Sequence, residues 1–138
     1  MLANAEVATR LPAMNLKRAR AFYKDKLGLE PSEERPGGLM YRFGSTRFAL
    51  FESGGAASGD HTQMGFEVTD IEAVVDELRR RGVVFEHVDM PGLRTVDGIA
   101  DIQGNYPSLG VGERAAWFRD SEGNLLGIGQ PIRPPNES

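Results

Sequence analysis

The sequence predicts an α+β fold in which one βαβββ module is followed by a second. Three observations indicate this: a repeated strand–helix pattern, a glycine that ends each predicted helix, and a small, polar connector midway along the chain. The pattern around Asn15 recurs 55 residues later around Asp70, and Gly28 recurs as Gly82. The 138 residues are the length of one domain, so residues 1–138 are predicted to form a single domain with two similar halves.

The first module is predicted over residues 7–53. Side chains 7–13 alternate as in a strand, with Leu11 on one face and Arg10 on the other. Asn15 is a good N-cap, and the apolar residues after it recur on one helical face until Gly28 ends the helix. Three short strands complete the module, and a turn at residues 44–46 joins the last two as a hairpin. The predicted ranges are 29–35, 39–43 and 47–52.

The second module is predicted over residues 61–131, after a glycine-rich connector at 54–60. A strand over 62–68 leads to Asp70 as N-cap and to a helix with apolar residues at i, i+3, i+4 and i+7. Further strands are expected at 84–90, 114–119 and 125–130. Between the first two of these lies a long insertion, residues 91–113, rich in glycine.

The insertion is open to two interpretations. A connection of this length is more often functional than idle, so it could form a mobile rim over a ligand, with Asp101 and Tyr106 as contacts. It could equally be an ordered surface loop or an extra hairpin. Periodicity does not decide between them.

Composition excludes several classes of protein. The net charge of −4 and a pI near 5.2 argue against nucleic-acid binding, which needs a basic face. Without cysteine there is no disulfide framework and no thiol nucleophile. Neither a secretory signal nor an apolar run long enough to cross a bilayer is recognisable, so we expect no membrane partner and a cytoplasmic location.

Three motifs resemble a known family. They are residues 11–29, LPAMNLKRARAFYKDKLGL; residues 66–71, FEVTDI; and residues 117–126, WFRDSEGNLL. In this order they are similar to the glyoxalase/bleomycin-resistance/dioxygenase group, also called the vicinal oxygen chelate superfamily, over about residues 7–131. The resemblance implies a cupped, open, mixed β-barrel with a ligand site in its concavity. It also implies a homodimer, in which some members exchange modules.

The resemblance places metal ligands at four strand positions, which in this chain are Ala8, Ala49, Gln63 and Gly127. Only Gln63 has a donor atom, and one neutral amide does not hold a divalent ion against water. We therefore expect no metal and no cofactor. A displaced site is the alternative, built from His61 or His87 with acidic neighbours. Those neighbours are Glu52, Glu67, Asp89 and Asp101.

Strand alternation selects the residues that would face a ligand. Arg10 and Glu67 would face the concavity, where they could pair with each other or Arg10 could recognise an anionic ligand. Trp117 would offer an aromatic platform or close a dimer interface. The candidate ligand-binding residues are Arg10, Met40, Phe51, Gln63, Glu67, Asp101, Tyr106, Trp117 and Arg119.

The leading hypothesis is a metal-free protein that binds a small organic ligand, sequestering a hydrophobic or aromatic compound such as an antibiotic. The acidic composition favours a neutral or cationic ligand. The alternative is an enzyme, a lyase, isomerase or ring-cleaving dioxygenase, that uses a displaced metal or acid–base chemistry by Glu67 with Arg10 as an electrophilic clamp. A third hypothesis is an accessory domain that binds no ligand because side chains fill its concavity.

Overall fold

A computed structural model describes residues 1–4, 6–55, 57 and 59–135. The chain divides into two compact units, Met1–Gly59 with Asp120–Asn124, and Asp60–Arg119 with Leu125–Ser138. Each unit contains one helix and one open, mixed sheet. This confirms the predicted α+β class. The first unit has the predicted βαβββ order, whereas the second has five strands after its helix.

The first unit has a four-stranded sheet in the order β1-β4-β3-β2. Strands β1 and β4 are parallel, whereas the other neighbours are antiparallel. A short 3₁₀ turn at Leu2–Asn4 precedes the sheet. The elements are β1 (Thr9–Ala13), α1 (Leu16–Asp25), β2 (Glu33–Arg35), β3 (Gly38–Phe43) and β4 (Thr46–Glu52).

Helix α1 begins at the predicted N-cap and ends at Asp25, three residues before the predicted Gly28. The Asn15 side chain accepts a hydrogen bond from the Arg18 backbone N–H at 2.9 Å, and Gly28 takes a positive φ of 71° as the chain leaves the helix. The helix buries Ala19 and Tyr23 completely. Around the Tyr23 ring lies an aromatic cluster, with Tyr41 at 5.6 Å and Phe48 at 5.7 Å between ring centroids.

A buried polar turn, residues 120–124, completes the first unit. The Tyr23 hydroxyl donates to Asp120 Oδ2 at 2.8 Å, and burial together with this carboxylate raises the pKa of Tyr23. Asp120 Oδ1 also accepts the backbone N–H groups of Glu122 and Asn124. The Asn124 amide donates both to Asp120 and to the Pro12 carbonyl, at 2.8 and 3.0 Å.

The most buried charge of this turn is the Glu122 carboxylate, whose side chain is 0% exposed. It accepts two hydrogen bonds from the Arg18 guanidinium, at 2.8 and 3.0 Å, one from the Asn15 backbone at 2.9 Å and one from Ser121 Oγ at 2.8 Å. The hydrogen bonds from Arg18 are the main reason that the pKa of Glu122 is lowered to about 2. A charge in this position is therefore paired and fully hydrogen-bonded.

The second unit has a six-stranded sheet in the order β5-β10-β9-β8-β7-β6. Helix α2 starts at the predicted N-cap, because the Asp70 side chain accepts from the Ala73 N–H at 3.2 Å. The elements are β5 (Met64–Glu67), α2 (Ile71–Arg80), β6 (Asp89–Met90), β7 (Leu93–Val96), β8 (Ile99–Gln103), β9 (Gly112–Arg119) and β10 (Leu125–Ile132).

The prediction of a strand over residues 84–90 was wrong for most of that range. Only Asp89–Met90 forms a strand, and Phe85 makes a single bridge to Phe118. The segment 91–113, predicted as an insertion, instead contains β7, β8 and the start of β9. A two-residue turn at Asp97 and Gly98, with φ of 53° and 83°, joins β7 to β8. An extra hairpin is therefore the interpretation that the structure supports, and β8 takes the place beside β9.

The strand registers preserve the sequence repeat. In the first unit Arg10 pairs with Ala49, and in the second Gly65 pairs with Gly127. Arg10 on β1 and Gly65 on β5 are 55 residues apart, which is the same offset as between Asn15 and Asp70. Among the described residues, no helix is both long and apolar enough to cross a membrane.

Candidate functional site

The first unit has a pocket of about 480 Å³ on the face of its sheet that carries the predicted residues Arg10, Met40 and Phe51. We call it the first pocket. Its full lining is Arg10, Glu33, Glu34, Arg35, Gly38, Leu39, Met40, Arg47, Ala49, Leu50 and Phe51.

Register explains why these residues meet. One cross-strand row runs from Arg10 through Ala49 and Met40 to Glu33, and the next row runs from Pro12 through Phe51 and Gly38 to Arg35. Side chains two residues apart on a strand share a face, so both rows lie on the same side of the sheet. The intervening Leu11 and Leu50 point to the other side and are buried.

Two arginines approach the Phe51 position. The Arg10 guanidinium carbon lies 5.0 Å from the centroid of the Phe51 ring, a cation–π contact. Arg35 extends over Gly38, where an added Cβ would lie 3.1 Å from the Arg35 Nε. Gly38 is the cross-strand partner of Phe51, so the Arg35 side chain lies one strand away from the Phe51 position.

The carboxylates of the first pocket are already paired. Glu33 forms a salt bridge with Arg42 at 3.4 Å, and Glu34 forms one with Arg20. The third arginine of the lining, Arg47, is paired with Glu6 at 3.4 Å. Within the part of the chain that the structure describes, Arg10 and Arg35 form no salt bridge.

The second unit has a smaller pocket, of about 380 Å³, which we call the second pocket. It contains the predicted Trp117 and Glu67, and also Glu113. The Trp117 ring lies against Gly127, where an added Cβ would be 3.5 Å from Trp Cδ1. The other lining residues are Thr62, Gly65, Phe66, Ile102, Ala115, Ile128 and Gly129.

Four predicted residues lie outside both pockets. Gln63 Oε1 accepts the Leu125 N–H at 3.2 Å, and Arg119 pairs with Asp60 at 2.7 Å and with Glu86 at 3.2 Å. Asp101 pairs with Arg114 at 3.3 Å in a groove beside the β6–β7 hairpin. Tyr106 is 75% exposed.

Sequence reasoning missed Arg35, Arg47 and Glu113 as pocket residues. Arg35 precedes the Pro36–Gly38 turn, so its strand was predictable, but its face depends on the pairing of β2 with β3. Glu113 fell in the segment interpreted as an insertion. Alternation from Trp117 along β9 would have placed it on the same face.

The residues at the four metal positions do not fit a divalent ion. In the first unit Ala8 and Ala49 have no donor atom, and in the second Gly127 has none while the Gln63 oxygen accepts a backbone hydrogen bond. A divalent ion takes several oxygen or nitrogen ligands. Among the described residues, no three His, Asp or Glu side chains are grouped as a metal site.

Solved structures share this fold at low identity, and no curated protein gives a significant match. TnmS3, an antibiotic binding protein from Streptomyces sp. CB03234, has a TM-score of 0.60 at 19% identity, covering 96% of this chain and 100% of that one. Lactoylglutathione lyase from Agrobacterium tumefaciens has a TM-score of 0.58 at 24% identity, covering 92% and 93%. The fosfomycin resistance protein FosX from Listeria monocytogenes, solved with Mn(II) and sulfate, has a TM-score of 0.65 at 12% identity, covering 94% and 91%.

A family model gives a more specific result than these structures. The model described as Glyoxalase/Bleomycin resistance protein/Dioxygenase superfamily matches residues 6–128, most of the chain. Its range includes both helices, the whole of the first pocket and the buried turn. The chain therefore belongs to the glyoxalase/bleomycin resistance protein/dioxygenase superfamily.

Proposed function

We propose that this protein binds a small hydrophobic or aromatic compound without the help of a metal ion, as a sequestering protein does. The observation that carries the proposal is the first pocket. It combines the apolar side chains Phe51 and Met40 with cationic groups at its border. Pockets for small organic molecules combine apolar walls with a few placed polar groups in this way.

The size and floor of the pocket support the proposal. Ala49 lies at its centre, between Arg10 and Met40 in the cross-strand row, and leaves space where a larger side chain would fill it. A volume of about 480 Å³ falls within the range of roughly 300–1,000 Å³ usual for ligand sites. An accessory domain with a filled sheet face would lack this space.

Among the solved relatives, TnmS3 is described as an antibiotic binding protein and FosX as a fosfomycin resistance protein. These descriptions favour drug-like compounds as the first ligands to test. The superfamily resemblance also favours a homodimer, for which light scattering should give twice the chain mass of 15.1 kDa.

The test is a thermal-shift screen of aromatic and antibiotic-like compounds, followed by titration calorimetry of the hits. Phe51→Ala should weaken binding about tenfold or more, because it removes the ring at the centre of the pocket. Tyr106→Ala, at an exposed aromatic outside both pockets, is the matched control and should leave binding unchanged.

The fluorescence of Trp117, the chain's one tryptophan, adds a separate readout of the second pocket. A change in this fluorescence that persists in Phe51→Ala would indicate binding at the second pocket. Mass spectrometry of the recovered compound decides between binding and catalysis. An unchanged compound supports sequestration, whereas a converted one would overturn it in favour of an enzyme.

A further inference from the structure

We infer that the ligand of the first pocket is an anion, with a carboxylate or similarly planar acidic group attached to an apolar ring. This inference rests on the proposed function and specifies the chemical class of the ligand. It is argued from the Arg10 guanidinium beside Phe51, from the Arg35 side chain over Gly38 and from the ion pairs around them.

The charge of the first pocket differs from that of the whole chain. Its lining contains three arginines and two glutamates. Both glutamates are neutralised by Arg42 and Arg20, which are not part of the lining. Arg47 is likewise neutralised by Glu6. The charge left for a ligand is that of Arg10 and Arg35.

The side chains of these two arginines approach the middle of the sheet from its two edges. Arg10 lies on β1 and Arg35 on β2, the two edges of a four-stranded sheet, and these edge strands are about 14 Å apart at roughly 4.8 Å per strand. Arg10 nevertheless lies 5.0 Å from the centre of the Phe51 ring. Arg35 turns inward over Gly38, Phe51's partner.

An aromatic carboxylate matches this arrangement. Its ring would contact Phe51 and Met40, and its carboxylate oxygens would accept two N–H groups from one guanidinium in the fork geometry that arginine favours. The stacking of Arg10 on Phe51 limits the side-chain freedom that binding would otherwise remove. The cation and the apolar surface are thus preformed together.

The second pocket provides a contrast. Its charged lining residues are Glu67 and Glu113, so an anionic group would be repelled there. The net charge of −4 also disfavours anions in general. A preference for carboxylates would therefore have to arise from Arg10 and Arg35 themselves.

The experiment compares naphthoate, naphthamide and naphthylmethylamine, which share a ring system and differ in charge, by calorimetry at physiological salt. Naphthoate should bind at least about tenfold more tightly than the amide, the effect of one or two charge-assisted hydrogen bonds. Arg10→Met and Arg35→Met should each reduce that preference while leaving amide binding within about twofold. Arg80→Met, which removes the same charge from an exposed site on α2, should preserve it.

The outcomes are distinct. If the amide or the amine binds as tightly as naphthoate, the anion inference is overturned while the proposed function stands. If the preference survives both Arg10→Met and Arg35→Met, the inference is overturned as well. If none of the three compounds binds, both are overturned. If the Arg10→Glu variant binds naphthylmethylamine more tightly than naphthoate, the reversal would give independent support.

Discussion

Replacing Glu122 by glutamine tests the buried turn of the first unit. The glutamine keeps the shape of the side chain but loses the charge, and its amide nitrogen no longer accepts a hydrogen bond. We expect the free energy of unfolding to fall by about 2 kcal/mol at pH 7. Glu34→Gln is the matched control, because Glu34 is an exposed carboxylate on β2 that pairs with Arg20 of α1. It should lower the free energy of unfolding by less than about 1 kcal/mol.

The magnitude follows from the pKa of Glu122, which is lowered from 4.5 to about 2 in the folded protein. A depression of that size corresponds to about 3 kcal/mol of stability at pH 7. The partner, Arg18, has a side chain 47% exposed, so water screens part of the interaction and about 2 kcal/mol is the better figure.

The sign of the pH dependence follows from the same shift. A carboxylate with a depressed pKa contributes stability above its unfolded pKa and loses it as the pH falls through the folded value. The difference between the wild type and Glu122→Gln should therefore shrink from pH 5 towards pH 2. Urea denaturation across this range measures it. A difference that is absent at pH 7, or that stays constant down to pH 2, would refute the reasoning.

Three further substitutions have definite expectations. Tyr23→Phe should lower the free energy of unfolding by about 2 kcal/mol in urea, because a buried hydrogen bond to a carboxylate is lost. Asn15→Ala should lower it by about 1 kcal/mol through loss of the N-cap, and far-ultraviolet circular dichroism in the same titration would follow the helix. Gly110→Ala should lower it by about 3 kcal/mol, because its φ is 142° and a Cβ would overlap the Ile132 carbonyl. Thermal melts should show a lower melting temperature for Gly110→Ala but not for the control Gly54→Ala, where a Cβ meets nothing within 4 Å.

Local signals made the first module and both helices predictable. Asn15 and Asp70 are residue types that N-caps favour, so the starts of both helices were predictable. Each helix also buries one stripe of apolar residues. The hairpin of β7 and β8 was one of two interpretations that the sequence left open, although Asp97–Gly98 is a strong hairpin dipeptide. The abundance of glycine in 91–113 is equally typical of a mobile rim, so composition did not decide between them.

The site was predictable only where a single strand sufficed. Alternation along β1 and β4 was enough to select Arg10 and Phe51. The pairing of Glu33 with Arg42 and of Glu34 with Arg20 depends on the register and on the fold, so the charge left in the pocket could not be read from the sequence. The acidic composition favoured a neutral or cationic ligand, whereas the first pocket favours an anion.

The buried turn lies between the predicted strands 114–119 and 125–130, but its role could not be predicted from the sequence. Acidic and amide side chains in a turn are usually exposed, whereas Asp120, Glu122 and Asn124 are all buried. Their partners are about 100 residues earlier in the chain, at Asn15, Arg18 and Tyr23. Such distant pairs leave no trace in a local pattern.

Protein synthesis supplies residues 1–59 well before the turn that completes their packing. At about 5–20 residues per second, the 65 residues from 60 to 124 take roughly 3 to 13 s to be made. During that interval Tyr23 has no acceptor at Asp120, and Arg18 has no Glu122. A nascent chain that stops before residue 120 therefore exposes an unfinished core to chaperones and proteases, so the packing of residues 1–59 depends on a turn made much later.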